Sequence, residues 1–182
     1  TLTGANSYSG GTQVKGGSTL VTTTTNLPVG NGVSFSAGNL NFNQTTAGTY
    51  GGAIVGSGSV LVTGQGAAVT LTGNNSYTGK TSIAAGSSLI GSTSSVAGTV
   101  TNNGSLTFNQ TANATYKNII SGSGSFTVNG ANTALTLTGA NTYTGGTTVG
   151  AGSGIITALS NLPSTGSITN NGTLTLNLTA DG

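Results

Sequence analysis

Aliphatic and aromatic residues in this chain alternate with Thr, Ser and Asn at a period of two. The alternation runs through VSF at Val33 to Phe35, NLNFN at Asn39 to Asn43, VLVT at Val60 to Thr63, SLTFN at Ser105 to Asn109, FTVN at Phe126 to Asn129 and TLTLNLT at Thr173 to Thr179. Such alternation places apolar side chains on one face of a short, half-buried strand. Asn31-Gly32, Asn103-Gly104 and Asn171-Gly172 precede strands as tight turns, and Leu27-Pro28 breaks any ladder after the polar run at Thr22 to Asn26. No stretch carries a 3.6-residue period, and Gly and Thr are too frequent for a helical window. The pattern therefore predicts strands and turns throughout.

A longer period is superimposed on the short one. TLTGANSYSGGTQV begins at Thr1, TLTGNNSYTGKTSI at Thr70 and TLTGANTYTGGTTV at Thr136, so the interval between copies is nearly constant, three residues shorter the second time. Leu2, Leu71 and Leu137 are followed twelve residues later by Val14, Ile83 and Val149, and six residues after that by Leu20, Leu89 and Ile155. These nine positions keep their spacing while polar residues drift, which predicts that they face one continuous core and stack in columns. Within each copy, TLT reads as a strand that turns twice. Gly4, Gly73 and Gly139 with their Asn neighbours, then Gly10, Gly79 and Gly145, are the residues that tolerate positive φ.

Repeats of this kind mark a stacked architecture. A sandwich has no need of equal spacing, and a propeller blade of about 40 to 50 residues is too short for this interval. A β-solenoid fits: equivalent aliphatics pile up inside while Asn, Thr and Tyr form ladders beside them. The chain is thus predicted to be all-β, a single parallel β-solenoid segment over residues 1–182 with units 1–69, 70–135 and 136–182, the last incomplete. Three coils per 66-residue unit would give 22 residues per coil and about eight coils, a rod of roughly 40 Å at ~4.8 Å per strand spacing.

Composition changes the picture by what it removes. Only four residues are charged, Lys15, Lys80, Lys117 and Asp181, whereas 33 of 182 are Gly. Three scattered lysines offer neither a nucleic acid nor an anionic membrane surface the cluster it needs, so no nucleic-acid partner and no membrane insertion are expected. No apolar run nears the ~18 residues of a spanning helix. Cys, His, Met and Trp are absent, which leaves no thiolate chemistry, disulfide framework or Cys/His metal site, and no cofactor is expected. Asp181 alone can supply neither the carboxyl pair of a glycosidase nor the repeated Asp of a calcium-binding roll. With no initiator Met or signal peptide, the chain reads as a processed or excised segment.

Three features imitate chemistry. Gly79-Lys80-Thr81 matches the end of a phosphate-binding loop, but Asn74 stands where that loop needs Gly and no helix pattern follows. Tyr8, Tyr77 and Tyr143 form a candidate surface contact, such as a sugar-stacking row. The competing reading has them covering corners of the core with their hydroxyls in water. Asn-x-Ser/Thr triplets at Asn43, Asn74, Asn103, Asn109, Asn113, Asn171 and Asn177 are expected by chance in so Asn- and Thr-rich a chain.

LTGANTYTGGTTV, followed by AG and an aliphatic strand, resembles the passenger-associated transport repeat, also called the autotransporter-associated β-strand repeat, of type V secretion passengers. The resemblance covers Leu2 to Val21, Leu71 to Ile90 and Leu137 to Ile156. It implies a right-handed parallel β-helix displayed at, or released from, a Gram-negative outer membrane as adhesin, aggregation factor or stalk. The family's membrane-anchoring barrel is not in this sequence.

The expected function is accordingly a non-catalytic extracellular structural or adhesive rod that continues end to end into further repeats or identical segments. A cell-surface or glycan receptor is a candidate partner. Two alternatives compete with it. A polysaccharide-cleaving β-helix enzyme would need its carboxylates outside this segment. An ice- or surface-binding solenoid is suggested by the TxT triplets at Thr1, Thr70 and Thr136, but it needs threonine rows on successive coils, and the strict triplet recurs only once per repeat.

Overall fold

The computed structural model describes residues 1–66 and 68–178, so Asp181 and the final Thr179 of the TLTLNLT stretch lie outside the described residues. The chain winds in coils of short strands. The first two coils give β1 (Thr12–Lys15), β2 (Thr19–Thr22), β3 (Val33–Ser36), β4 (Asn39–Phe42) and β5 (Gly48–Tyr50). The middle of the chain adds β6 (Ile54–Gly56), β7 (Ser59–Val62), β8 (Ala68–Leu71), β9 (Ser76–Tyr77), β10 (Thr81–Ile83) and β11 (Ser88–Gly91). Next come β12 (Val100–Asn102), β13 (Ser105–Asn109), β14 (Ala114–Tyr116), β15 (Ile120–Ser121), β16 (Ser125–Asn129) and β17 (Thr133–Leu137). The last are β18 (Thr147–Val149), β19 (Ser153–Ala158), β20 (Ile168–Asn170) and β21 (Thr173–Asn177). The helical exception is a 3₁₀ turn, Leu159–Asn161, and among the described residues no helix is long and apolar enough to cross a membrane.

All seventeen described strand pairs are parallel, each strand pairing with its counterpart one coil on. The chain is an all-β, parallel β-solenoid of about eight turns. Its first face holds the sheet β1-β3-β6-β9, the second β2-β4-β7-β10-β12-β15, the third β5-β8-β11-β13-β16-β18-β20. A fourth sheet, β14-β17-β19-β21, follows the third in chain order as the first sheet did earlier, and so takes the first face's place beyond the loop at 92–99. The prism has three sides.

Register sets the coil length. Val14 pairs with Phe35, Leu40 with Val60, Leu106 with Phe126 and Thr136 with Ile156, so the chain advances by twenty or twenty-one positions before it returns to the same place one coil on. The advances from Thr81 to Val100, from Ile155 to Leu174 and from Leu89 to Leu106 are shorter, and each passes through a stretch without a strand. The coil is therefore nearer twenty residues than the expected twenty-two, and one repeat spans about three and a third coils.

The extra third of a coil rotates each copy of the motif by one face. Val14 lies on the first face, Ile83 on the second and Val149 on the third, while Leu20, Leu89 and Ile155 lie on the second, third and first. The expectation that these equivalents pile into one column is corrected: they point inward from different sides. Val14, Leu71, Ile83, Leu89, Leu137, Val149 and Ile155 are buried, and Leu2 and Leu20 are half-buried against the same core. The columns instead join unlike positions of the repeat, as in Leu20, Leu40, Val60, Thr81, Val100 and Ile120 up the second face. Aromatic residues fill the axis beside them, with Phe108 edge-on to Tyr116 at 5.0 Å and to Phe126 at 5.5 Å.

The motif glycines serve close approach rather than left-handed backbone. Among Gly4, Gly10, Gly73, Gly79, Gly139 and Gly145, only Gly4 has positive φ, at 81°. A Cβ on Gly79 or Gly145 would collide with the carbonyl oxygen of Gly58 or Gly124 in the coil below. Gly10 has no neighbour within 4 Å of such an atom. Gly145→Ala is therefore expected to destabilise the solenoid by about 1–3 kcal/mol as overpacking, while Gly10→Ala stays within a few tenths of wild type; paired thermal melts by circular dichroism measure both.

Candidate functional site

The polar residues of the recurring motif are the natural place to look for a site, and in all three copies its Asn bonds a neighbouring coil. Asn75 Oδ1 accepts the Ile54 N–H at 2.8 Å from the coil below, and Asn75 Nδ2 donates to the Ser95 carbonyl at 2.6 Å above. Asn141 repeats this with the Ile120 N–H and the Asn161 carbonyl, both at 2.9 Å. Asn6 Nδ2 donates to the Asn26 carbonyl at 2.9 Å. A side-chain amide thus stands in for a missing rung of the backbone ladder. Asn26, Ser95 and Asn161 all belong to loops, 23–32, 92–99 and 159–167, that replace a strand once per repeat.

Tyrosine and threonine complete the seat. The Tyr77 hydroxyl lies 2.6 Å from Thr81 Oγ1, Tyr143 lies 2.6 Å from Thr147 Oγ1, and Tyr8 lies 2.7 Å from Thr12 Oγ1. Thr81 Oγ1 donates to the Ala97 carbonyl at 2.7 Å, and the Ala97 N–H donates to the Tyr77 oxygen at 3.2 Å. Donation from Tyr77 to Thr81 then closes a ring of hydrogen bonds through both ends of residue 97. This is what admits Thr81, fully buried, into an otherwise aliphatic column. From the following coil, Tyr116 donates to the Gly98 carbonyl at 2.8 Å and Tyr50 to the Pro28 carbonyl at 3.4 Å. The loop at 92–99 is held between two tyrosines.

The candidate surface contact is corrected at two of its three positions. Tyr77 is 2% exposed, with Ala97 of the next coil's loop on its hydroxyl, and Tyr143 is fully buried, its ring 5.8 Å from that of Phe126, whereas Tyr8 is 40% exposed. Their hydroxyls face threonine rather than water. Burial raises the Tyr77 and Tyr143 phenols above their ordinary 10.0, with the threonine hydrogen bonds acting the other way, and burial first and Tyr8 second push Tyr50 up to about 12. Tyr116 is also raised, chiefly by burial. Sequence reasoning missed the coupling of Tyr to Thr, although the four-residue interval in all three copies was the signal that could have found it.

The imitated phosphate loop is spent on stacking too. Gly79 N–H donates to the Gly58 carbonyl at 3.0 Å and Lys80 N–H to Ser59 Oγ at 3.1 Å, so these amides are not offered to an anion, and β10 rather than a helix follows. Among the described residues no group of three His, Cys, Asp or Glu side chains could hold a metal ion.

Tyr77→Phe removes the ring of hydrogen bonds while keeping the aromatic volume. It is expected to cost about 1–3 kcal/mol, since it leaves buried polar groups without partners, against little change for Tyr8→Phe, in denaturant melts of both variants. The raised phenols also set a pH dependence. An unfolded tyrosine ionises near 10.0 and a folded one above it, so stability holds below pH 10 and declines as pH rises beyond. Melts across that range, with tyrosinate absorbance as second readout, measure it.

No curated protein and no solved structure matches the chain. The family model of the passenger-associated-transport-repeat does, at residues 1–21, 66–87 and 134–153, and each match contains the Asn that bonds the loop of the coil above and the Tyr–Thr pair that follows it.

Proposed function

We propose that the chain is a non-catalytic rod segment of a secreted or cell-surface passenger protein, whose work is to give length and to present its outer faces and loops to other surfaces in adhesion, aggregation or display. The observation that carries this reading is where the motif's polar groups go. Asn75, Tyr77 and Thr81, and the equivalent Asn6 and Asn141, are consumed in joining one coil to the next, which supports a motif that builds the rod rather than a reaction site. The family description, a repeat associated with passenger transport, points the same way. Thr, Ser and Asn are the most frequent outward side chains, with apolar residues such as Val55, Ile119 and Leu159 between them, and so few charges support contact with little dependence on salt.

Removing residues 70–135 from the full protein joins Val69 to Thr136 inside equivalent strands of the motif, and shortens the rod by one repeat, about 16 Å at the spacing of stacked strands. Antibody to an epitope placed in the loop at 23–32 is expected to label intact cells before and after the deletion. Purified protein is expected to leave glycans uncleaved. Label found only inside the cell, or glycan cleavage that follows the segment, overturns the reading.

A further inference from the structure

Register brings together something the repeat spacing hides. Up the third face, the central outward-facing positions of seven consecutive strands are Thr49, Thr70, Ile90, Thr107, Thr127, Thr148 and Thr169, each paired directly with the next. Six of the seven are threonine, and the seventh is β-branched as well. No two members occupy the same position of the repeat, which is why no single triplet in the sequence announces the row. Successive members stand ~4.8 Å apart, for a row of roughly 29 Å. We propose that this seven-stranded face is an ice-binding surface.

The side chains fit that partner chemically. None of the six threonine hydroxyls donates to or accepts from another group of the described residues, whereas the inward Thr81, Thr147 and Thr157 are all bonded. The outward hydroxyls are left to water, and their methyls, held at a fixed interval by parallel pairing, confine first-shell water to the spaces between them. Water that bridges successive hydroxyls at this regular spacing is ordered in a row and can be continued by a lattice of further hydrogen-bonded water. The flanking row, Ser88, Ser105 and Ser125, keeps the surface low and polar.

Other partners fit less well. None of the three lysines lies on a strand of this sheet, so charge does not select a protein partner here. A flat glycan-binding face presents aromatic rings, and Tyr50, Tyr77, Tyr116 and Tyr143 are buried. The proposal goes beyond the rod function and stands apart from it, because a rod need not bind ice.

The test is incorporation of the purified chain into a slowly growing ice front, with recrystallisation of ice grains as second readout. Wild type is expected to enter the ice and to hold grains small. Thr127→Lys, in the middle of the row, is expected to cut incorporation at least tenfold. Thr101→Lys, at an outward position on the second face, is expected to leave it unchanged. Should Thr127→Lys fail to reach the native circular dichroism, Thr127→Val keeps the volume and must still lower incorporation several-fold. Exclusion of wild type from ice, or equal loss in Thr101→Lys and the position-127 variant, overturns the proposal.

Discussion

Each inner coil of this solenoid pairs with the coil before it and the coil after it, at a separation of ~4.8 Å fixed by backbone hydrogen bonding. That separation governs the rest of the sequence. At some corners it leaves no room for a Cβ, hence Gly79 and Gly145, which lie over the carbonyls of Gly58 and Gly124. Where the chain departs from strand geometry, the lost rung has to be supplied by a side chain of the right reach. Asn75 and Asn141 do this with both ends of one amide. The recurring motif is best understood as the set of residues that keeps coils at their spacing across a loop that would otherwise interrupt it.

Much of the fold was legible from residue order alone, because it rests on local rules. Alternation placed β3, β4, β7, β13, β16 and β21, and the return of one motif at a near-constant interval led to parallel stacking. Coil length was not legible to within two residues, since no single corner fixes it and the advance from Leu89 to Leu106 is four residues shorter than that from Val14 to Phe35. That small error hid the rotation, and with it the fact that Leu71 and Leu137 point inward from different sides. Tyr77 and Tyr143 do cover the core, and only the placing of their hydroxyls in water fails, for a related reason. Whether Tyr77 is covered depends on a loop twenty residues later, at Ala97, and the local sequence around Tyr77 carries no mark of it.

The near absence of charge has a structural counterpart. Parallel strands stacked in register at such short range set any like charges that share a column side by side, where they repel. Thr, Ser and Asn avoid this, and an Asn can even bond its own kind one coil on, as Asn129 does with Asn109 at 3.4 Å. Lys15, Lys80 and Lys117 are placed singly along the chain, so that no column sets two of them side by side. A composition of small uncharged polar residues is what columns of such closely spaced neighbours permit.

The third of a coil left over in each repeat arranges the loops at 23–32, 92–99 and 159–167 on the third, first and second faces in turn. They leave the shaft as leaves leave a stem, each a third of a revolution from the last. Three repeats complete the cycle in ten coils, about 48 Å of rise at the stacked-strand spacing. A passenger with more such repeats would offer a loop toward every side within that distance, so that no rotation of the shaft about its axis could turn them all away from a surface lying alongside.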